Sequence, residues 1–488
     1  MSENTPIHQV IIIGAGMSGL CMGIRLQAMG ISDFLILEKS AGVGGTWYDN
    51  TYPGACCDVP SVLYSYSFEP NPNWSRKYSP HDEIRAYFEH CADKYGLRNR
   101  LRLSTAVRSA HFDESAGEWV VSLETGEQLR AKAVVSGLGQ LNLPNTPDIA
   151  GTETYRGESF HSARWRHDIN LTGKRVAVIG NAASALQFIP HVARQAAQLY
   201  VYQRSANYVV KRNDTHYSEA QKRRFARWPW LQKLHRAGVY IRGELLFYPV
   251  LRNSRLLRPL WEKWAREHLE EHIHDPVLRN KLTPDYPVGC KRILVADDYY
   301  QAFARENVEL VTSPITAIDE QGVVSEDGDA RPVDVIIYGT GFNTTAMLSG
   351  VDFVGAGGRS LKQAWADGAE AYRGVCVAGF PNLFMLYGPN TNLGSNSIIF
   401  MVERQVNYVA TCIDKLLGHD LQSLEVNASV MRAYNDHLQG DLAGTVWVAN
   451  CDSWYKNAAG KVVNNWPRST LYYWWHMRSP DFTDFDMR

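Results

Sequence analysis

No uninterrupted apolar stretch in this 488-residue chain approaches the roughly 18 residues needed to cross a bilayer, so no transmembrane segment is expected. A charge surplus is missing too. The 50 Lys and Arg against 51 Asp and Glu leave a net charge of −1, which argues against a nucleic-acid binder. Ordinary composition, with 45% hydrophobic residues, excludes a disordered chain. The eight cysteines form no CxxC and show no metal-ligand spacing, and only Cys56 and Cys57 are adjacent. That scatter predicts a cytoplasmic setting, no bound metal and no redox-active pair. No positively charged segment precedes the first apolar run, so no secretory leader is expected.

What the chain does have is one motif written twice. Val10-Ile11-Ile12-Ile13 leads into Gly14-Ala15-Gly16-Met17-Ser18-Gly19. Val176-Ala177-Val178-Ile179 leads into Gly180-Asn181-Ala182-Ala183-Ser184-Ala185. An apolar strand, a glycine turn and a helix start together aim free backbone N–H groups at a pyrophosphate. The next strand of each unit closes on a charged residue 24 positions beyond the first glycine: Glu38 in one, Arg204 in the other. A carboxylate there accepts hydrogen bonds from ribose hydroxyls, which suits FAD or NAD. A guanidinium suits a 2′-phosphate, hence NADP. The pair predicts FAD at the first turn, through Gly14, Gly16, Ser18, Gly19 and Glu38. It predicts NADPH at the second, through Gly180, Asn181, Ser184, Ala185, Arg204 and Ser205. Ala182 replaces the middle glycine, and its methyl is expected to push NADPH outward and weaken it.

The fold class that follows is α/β, with two Rossmann-like dinucleotide-binding domains and a helical insert. The predicted FAD-binding domain is discontinuous, 1–148 and 335–488, around an NADP-binding domain at 149–334. Periodicity predicts a helix over 81–95 with Ile84, Tyr87, Phe88 and Cys91 on one face, and a hairpin of 111–113 with 119–123. The insert spans 214–285. Across 211–266 the chain carries 14 Lys and Arg but only four Asp and Glu. Leu257, Leu260, Trp261 and Trp264 there fit one helical face. The pattern reads as a small helical subdomain with a solvated basic side; a lid or a membrane-surface patch are the alternatives.

Two further stretches discriminate among proteins with two dinucleotide lobes. The segment 45–58 has Gly45-Thr46-Trp47, then four residues, Tyr52, Pro53-Gly54, three residues and Asp58. It resembles the longer signature of the Baeyer–Villiger monooxygenases at every fixed position. Gly157, His161 and Trp165 match the same family's shorter fingerprint, although Tyr155 replaces its Phe and Arg166 stands where Pro or Asp usually follows. Similarity to the wider class B flavin monooxygenases covers nearly the whole chain, including 388–394.

The resemblance implies FAD, NADPH and a monooxygenase that inserts one oxygen from O2 beside a ketone carbonyl, through a C4a-peroxyflavin, to give an ester or lactone. For that chemistry the peroxide must stay anionic, so a fixed cation must stand beside it in a dry site. Arg292 is implied as that cation, Asp58 as the carboxylate that orients it by paired hydrogen bonds, and Lys291 as a partner of Arg204 on the 2′-phosphate. Cofactor contacts are also implied for Gly45, Thr46, Trp47, Tyr64, Val107, Gln140 and Trp454. His161 is expected to couple the lobes by a hydrogen bond rather than to do acid–base work. The expected partners are O2 and a small ketone or thioether. Rival readings are oxygen transfer to sulfur or nitrogen with the same cofactors, an NADPH-dependent reductase or oxidase, and a flavin-binding scaffold docked through the basic insert. A disulfide reductase would need a cysteine pair beside the flavin, and the spacing reveals none.

Overall fold

The computed structural model describes residues 6–344, 347–348, 350–451 and 453–488. Each repeated turn follows a strand of its own sheet. In the first, eight-stranded sheet, Ile7–Ile13 lies between Phe34–Leu37 and Gln128–Ser136 and runs parallel to both. Its apolar run is continuous because both faces are buried. Val10 and Ile12 join one apolar cluster, Ile11 and Ile13 another. The hairpin forms as Val107–Asp113 with Glu118–Leu123, antiparallel. The helix His81–Lys94 buries Ile84, Tyr87, Phe88 and Cys91, the predicted face. Pairing of Glu118–Leu123 with Gln128–Ser136 stops at Ala131, and Leu383–Met385 takes over from Val134. The chain thus returns late to its first sheet.

The second sheet holds five parallel strands, in the order Val308–Val311, Gln198–Tyr202, Arg175–Ile179, Val335–Tyr338, Glu158–His161. One correction falls here. Val335–Tyr338 is an inner strand of this sheet, so the predicted boundary between 334 and 335 falls just before it and assigns it to the wrong domain. The chain leaves the second lobe only after Tyr338.

The two turns repeat in detail. Gly14 (φ +104) and Gly180 (φ +103) are both left-handed. A Cβ on Gly14 would come within 2.7 Å of Gly137 O, and one on Gly180 within 2.5 Å of Gly339 O. Only glycine passes there. Gly16 and Ala182 then share one conformation (φ −76, ψ −170 and φ −82, ψ −164), open to any L-residue. The backbone therefore takes Ala182 without strain, and Ala182 lines the cavity described below. The insert is helical, with Glu219–Arg227, Pro229–Arg242, Leu257–His272 and Pro276–Lys281. Leu257–His272 buries Trp261, Ala265, His268 and Leu269, so its inner face is rotated from the predicted one and Trp264 is exposed.

Candidate active site

One cavity of ≈ 1460 Å³ runs from the first turn to the second. Every predicted site residue lines it except Gly19 and Ala185. Those two shape the turns instead. A Cβ on Gly19 would come within 1.8 Å of Gly14 O, and Ala185 packs against Gly339. The helices Met17–Ala28 and Ala183–Gln195 begin at the cavity with no side-chain hydrogen bond at Gly16 or Ala182. Their first N–H groups suit phosphate oxygens.

Glu38 is buried beside the first turn. Its Oε2 accepts from Ala15 N–H (2.7 Å) and its Oε1 from Ser40 N–H (2.8 Å). Each oxygen keeps a lone pair for a ribose hydroxyl. Trp47 Nε1–H donates to Tyr64 OH (3.1 Å), with the rings edge-on. Gln140 Nε2 donates to Tyr387 O (3.0 Å) and Gly388 O (3.2 Å), while its buried Oε1 has no partner among the described residues. These features fit FAD. At the second turn Asn181 Nδ2 donates to Gln203 Oε1 (2.8 Å) and Ser205 O (3.0 Å). Lys291 Nζ donates to Ser205 Oγ (2.7 Å), next to the exposed Arg204. Two cations in one corner fit a 2′-phosphate. Trp454 reaches the cavity from the C-terminal part, its ring 4.5 Å from that of Tyr455.

Arg292 donates from Nε (2.9 Å) and Nη2 (2.6 Å) to Asp58 Oδ2. The expected pairing is present, but it converges on one carboxylate oxygen instead of forking to two. Asp58 pushes the guanidinium pKa still higher, so Arg292 is charged at any working pH. Tyr387 and Tyr455 stand near it, and neither was anticipated from sequence. Burial pushes the Tyr455 hydroxyl up to about 12, with Arg292 pulling the other way. Tyr387 OH donates to Asn392 Oδ1 (2.6 Å) from a backbone at φ +61. Such a conformation costs about 1–3 kcal/mol and persists where the surroundings impose it.

Both family stretches meet where the lobes touch. Gly54 (φ +81) lies so close to the second lobe that a Cβ would come within 2.7 Å of Gln187 O. Gln187 Nε2 donates to Cys56 O (3.0 Å), and its Oε1 accepts from Cys56 N–H (3.2 Å) and Tyr52 OH (3.1 Å). Thr51 pairs with His167 (2.9 Å), and Arg164 with Asp49 (3.4 Å). The His161 ring meets that of Phe342 edge-on, on the segment that leaves the second lobe. Its Nδ1 accepts from Ala163 N–H (3.1 Å), which also fixes its own loop. Trp165 packs against Phe160 and Phe188 in the second lobe.

Two cysteines overturn the expectation of no pair. Cys290 and Cys451, 161 residues apart, form a disulfide with Cα atoms 6.5 Å apart. Local spacing cannot signal so distant a partner. The bond ties the segment of Lys291 and Arg292 to that of Trp454. His268, Glu271 and His272 also bring ligand-type atoms within 4.8 Å of one another, unremarked in the sequence, but Lys211 Nζ already pairs with Glu271 at 2.5 Å.

A family model described as pyridine nucleotide-disulphide oxidoreductase matches residues 11–227. A Baeyer–Villiger monooxygenase of Pseudomonas aeruginosa is 44% identical over 475 residues, which is 96% of this chain and 89% of that protein. One from Streptomyces coelicolor is 40% identical, over 100% of this chain and 94% of its own. An oxidised steroid monooxygenase bound to NADP superposes with a TM-score of 0.87 at 33% identity, over 99% of each chain. A cyclohexanone monooxygenase from Rhodococcus sp. Phi1 bound to NADP+ gives 0.89 at 27% identity, over 99% of this chain and 100% of its own. Two dinucleotide lobes around one cavity are shared by several flavoprotein classes; these relatives make this one a flavin-dependent NADPH monooxygenase. Full-length identity narrows it. The chain belongs to the Baeyer–Villiger monooxygenases.

Proposed function

We propose that this chain inserts one oxygen atom from O2 beside the carbonyl of a small ketone, giving an ester or lactone, with FAD in the first lobe and NADPH in the second. The Arg292–Asp58 pair on the wall of the shared cavity carries this reading. FAD would be held by the turn at Gly14, Gly16 and Ser18, by Glu38, and by Gly45, Thr46, Trp47, Tyr64, Val107 and Gln140. NADPH would be held by Gly180, Asn181, Ser184, Arg204, Ser205 and Lys291, with Trp454 beside it. When bound, the two cofactors supply hydride and O2 activation.

The chain's own residues do the rest. Arg292 puts a permanent positive charge where negative charge develops during oxygen transfer, and Asp58 fixes its orientation. Its raised pKa keeps its protons on the guanidinium, so it stabilises the oxygen anion without quenching it. Buried Tyr52, Tyr64 and Tyr455, with partly buried Tyr387, stay protonated and narrow the space open to water, which strengthens that charge. The proposal places the enzyme in the cytoplasm, where NADPH is regenerated.

A cyclic ketone and a thioether, offered separately, test the reading by product analysis. Ester or lactone from the ketone supports it; sulfoxide with no ester from any ketone overturns it. Because Cys451 lines the cavity, cysteine content no longer argues against a disulfide reductase. NADPH oxidation with disulfide reduction and no oxygenated product would favour that alternative.

A further inference from the structure

The helix Pro229–Arg242, continued by a π-turn at Gly243–Phe247 and by Tyr248–Leu251, is built inside out. One file of its polar residues faces the protein, while Lys233, His235 and Arg242 are exposed. Gln232 is only 4% exposed, and its Nε2 donates to Asn71 O (2.6 Å). One turn on, Arg236 Nη1 donates to Val62 O (2.8 Å) and Ser65 Oγ (3.1 Å). Tyr240 OH then shares a hydrogen bond with Thr470 Oγ1 (2.8 Å). Glu244 Oε1 accepts from Thr470 Oγ1 (2.6 Å) and Asn396 Nδ2 (3.1 Å). Steps of four keep these residues on one side.

The other side presents Trp230, Leu234, Ile241 and Leu245, exposed at 61%, 63%, 51% and 64%. The helix Thr470–His476, bonded to it through Thr470, adds exposed Leu471 and Trp475. A surface helix ordinarily has the reverse arrangement. Contiguous exposed apolar surface of this kind marks an interaction site.

Charge selects the occupant. Arg223, Arg224, Arg227, Lys233 and Arg242 are exposed on this helix and the one before it, and none forms an ion pair among the described residues. Arg478 lies over the ring of Trp475 at 4.9 Å. A second copy docked on the same face would bring these cations together, which is unfavourable. A surface both apolar and anionic satisfies stripe and cations at once. We propose that this face docks on membranes containing anionic lipids, with the stripe at the acyl–headgroup boundary and the Arg and Lys side chains on lipid phosphates. The mode is interfacial, since no helix among the described residues is long and apolar enough to cross a bilayer. The helix also touches the active-site cavity, because Asn396 lines it.

Flotation of the full-length, FAD-loaded protein with two kinds of vesicle tests the proposal: phosphatidylcholine alone, and phosphatidylcholine with about one-third phosphatidylglycerol. Binding to the anionic vesicles should be at least about tenfold tighter and should weaken as salt is raised. Leu234→Asp with Ile241→Asp should abolish it, with flavin content reporting that the fold is intact. Arg223→Glu with Arg224→Glu, both exposed side chains, should remove the preference for anionic lipid. No flotation with either vesicle overturns the proposal, as does equal binding to both. A concentration-dependent dimer in sedimentation velocity that Leu234→Asp dissolves, with no vesicle binding, assigns the face to a second copy and also overturns it.

Discussion

Arg292 and Asp58 stand 234 residues apart in the chain and 2.6 Å apart in the cavity. Both side chains remain about a quarter open, toward the cavity, so the pair is poised at a surface that reactants reach. Arg204 works differently, as an exposed cation whose value lies in discrimination between cofactors. Arg204→Ala should raise the KM for NADPH by about 10- to 100-fold, the worth of a charged hydrogen bond of about 1.5–3 kcal/mol, and leave the KM for NADH nearly unchanged. Equal changes for both cofactors in steady-state kinetics would make Arg204 a structural residue. Glu38 and Arg204 were legible because strand, turn and helix geometry fixes their offset from the first glycine. Tyr387 and Tyr455 were not. Their nearness to Arg292 is created by the return of the C-terminal part, and φ +61 at Tyr387 is imposed by surroundings that residue type does not encode.

Among the elements, the segment that carries Lys291 and Arg292 is joined to the Trp454 segment by Cys290–Cys451. In a reducing compartment such a bond is open to thiol exchange. Cys451→Ser, or dithiothreitol treatment of the parent, should raise the KM for NADPH roughly 5- to 30-fold. That corresponds to about 1–2 kcal/mol for re-ordering a freed residue. Flavin should be retained, and dithiothreitol should do nothing further to the variant. An unchanged KM in both experiments would mean that the bond does not organise the cofactor corner. The hairpin and the helix His81–Lys94 could be read from periods of two and 3.6, because each buries one face in the ordinary way. The helix Pro229–Arg242 defeats the same rule, because its polar face is the inner one. Strand Val335–Tyr338 was recognisable as a strand, but its inner place between Arg175–Ile179 and Glu158–His161 was not, since crossover topology is absent from local pattern.

At the scale of the molecule, two lobes of similar plan close on a cavity that neither forms alone, and Gly54, Gln187 and the Asp49–Arg164 pair hold them together. Burial lowers the pKa of His81, His161, His191, His235 and His268. In the unfolded chain each returns to about 6.5. Below that value the unfolded state binds more protons than the folded one, so stability falls as pH drops through about 6.5 toward the folded pKa values. Thermal melts at saturating FAD should give a lower Tm at about pH 5.5 than at about pH 7.5, and His268→Gln should narrow the gap. Equal Tm values would contradict this assignment. The lobe arrangement matters for chemistry because it brings a fixed cation from the second lobe against a carboxylate from the first. Conversion of a cyclic ketone by FAD-loaded Arg292→Ala, with flavin content measured in the same sample, tests that claim most directly. Ester formation should fall by at least about a hundredfold while FAD stays bound. Ester formation at the parent's rate would contradict the account.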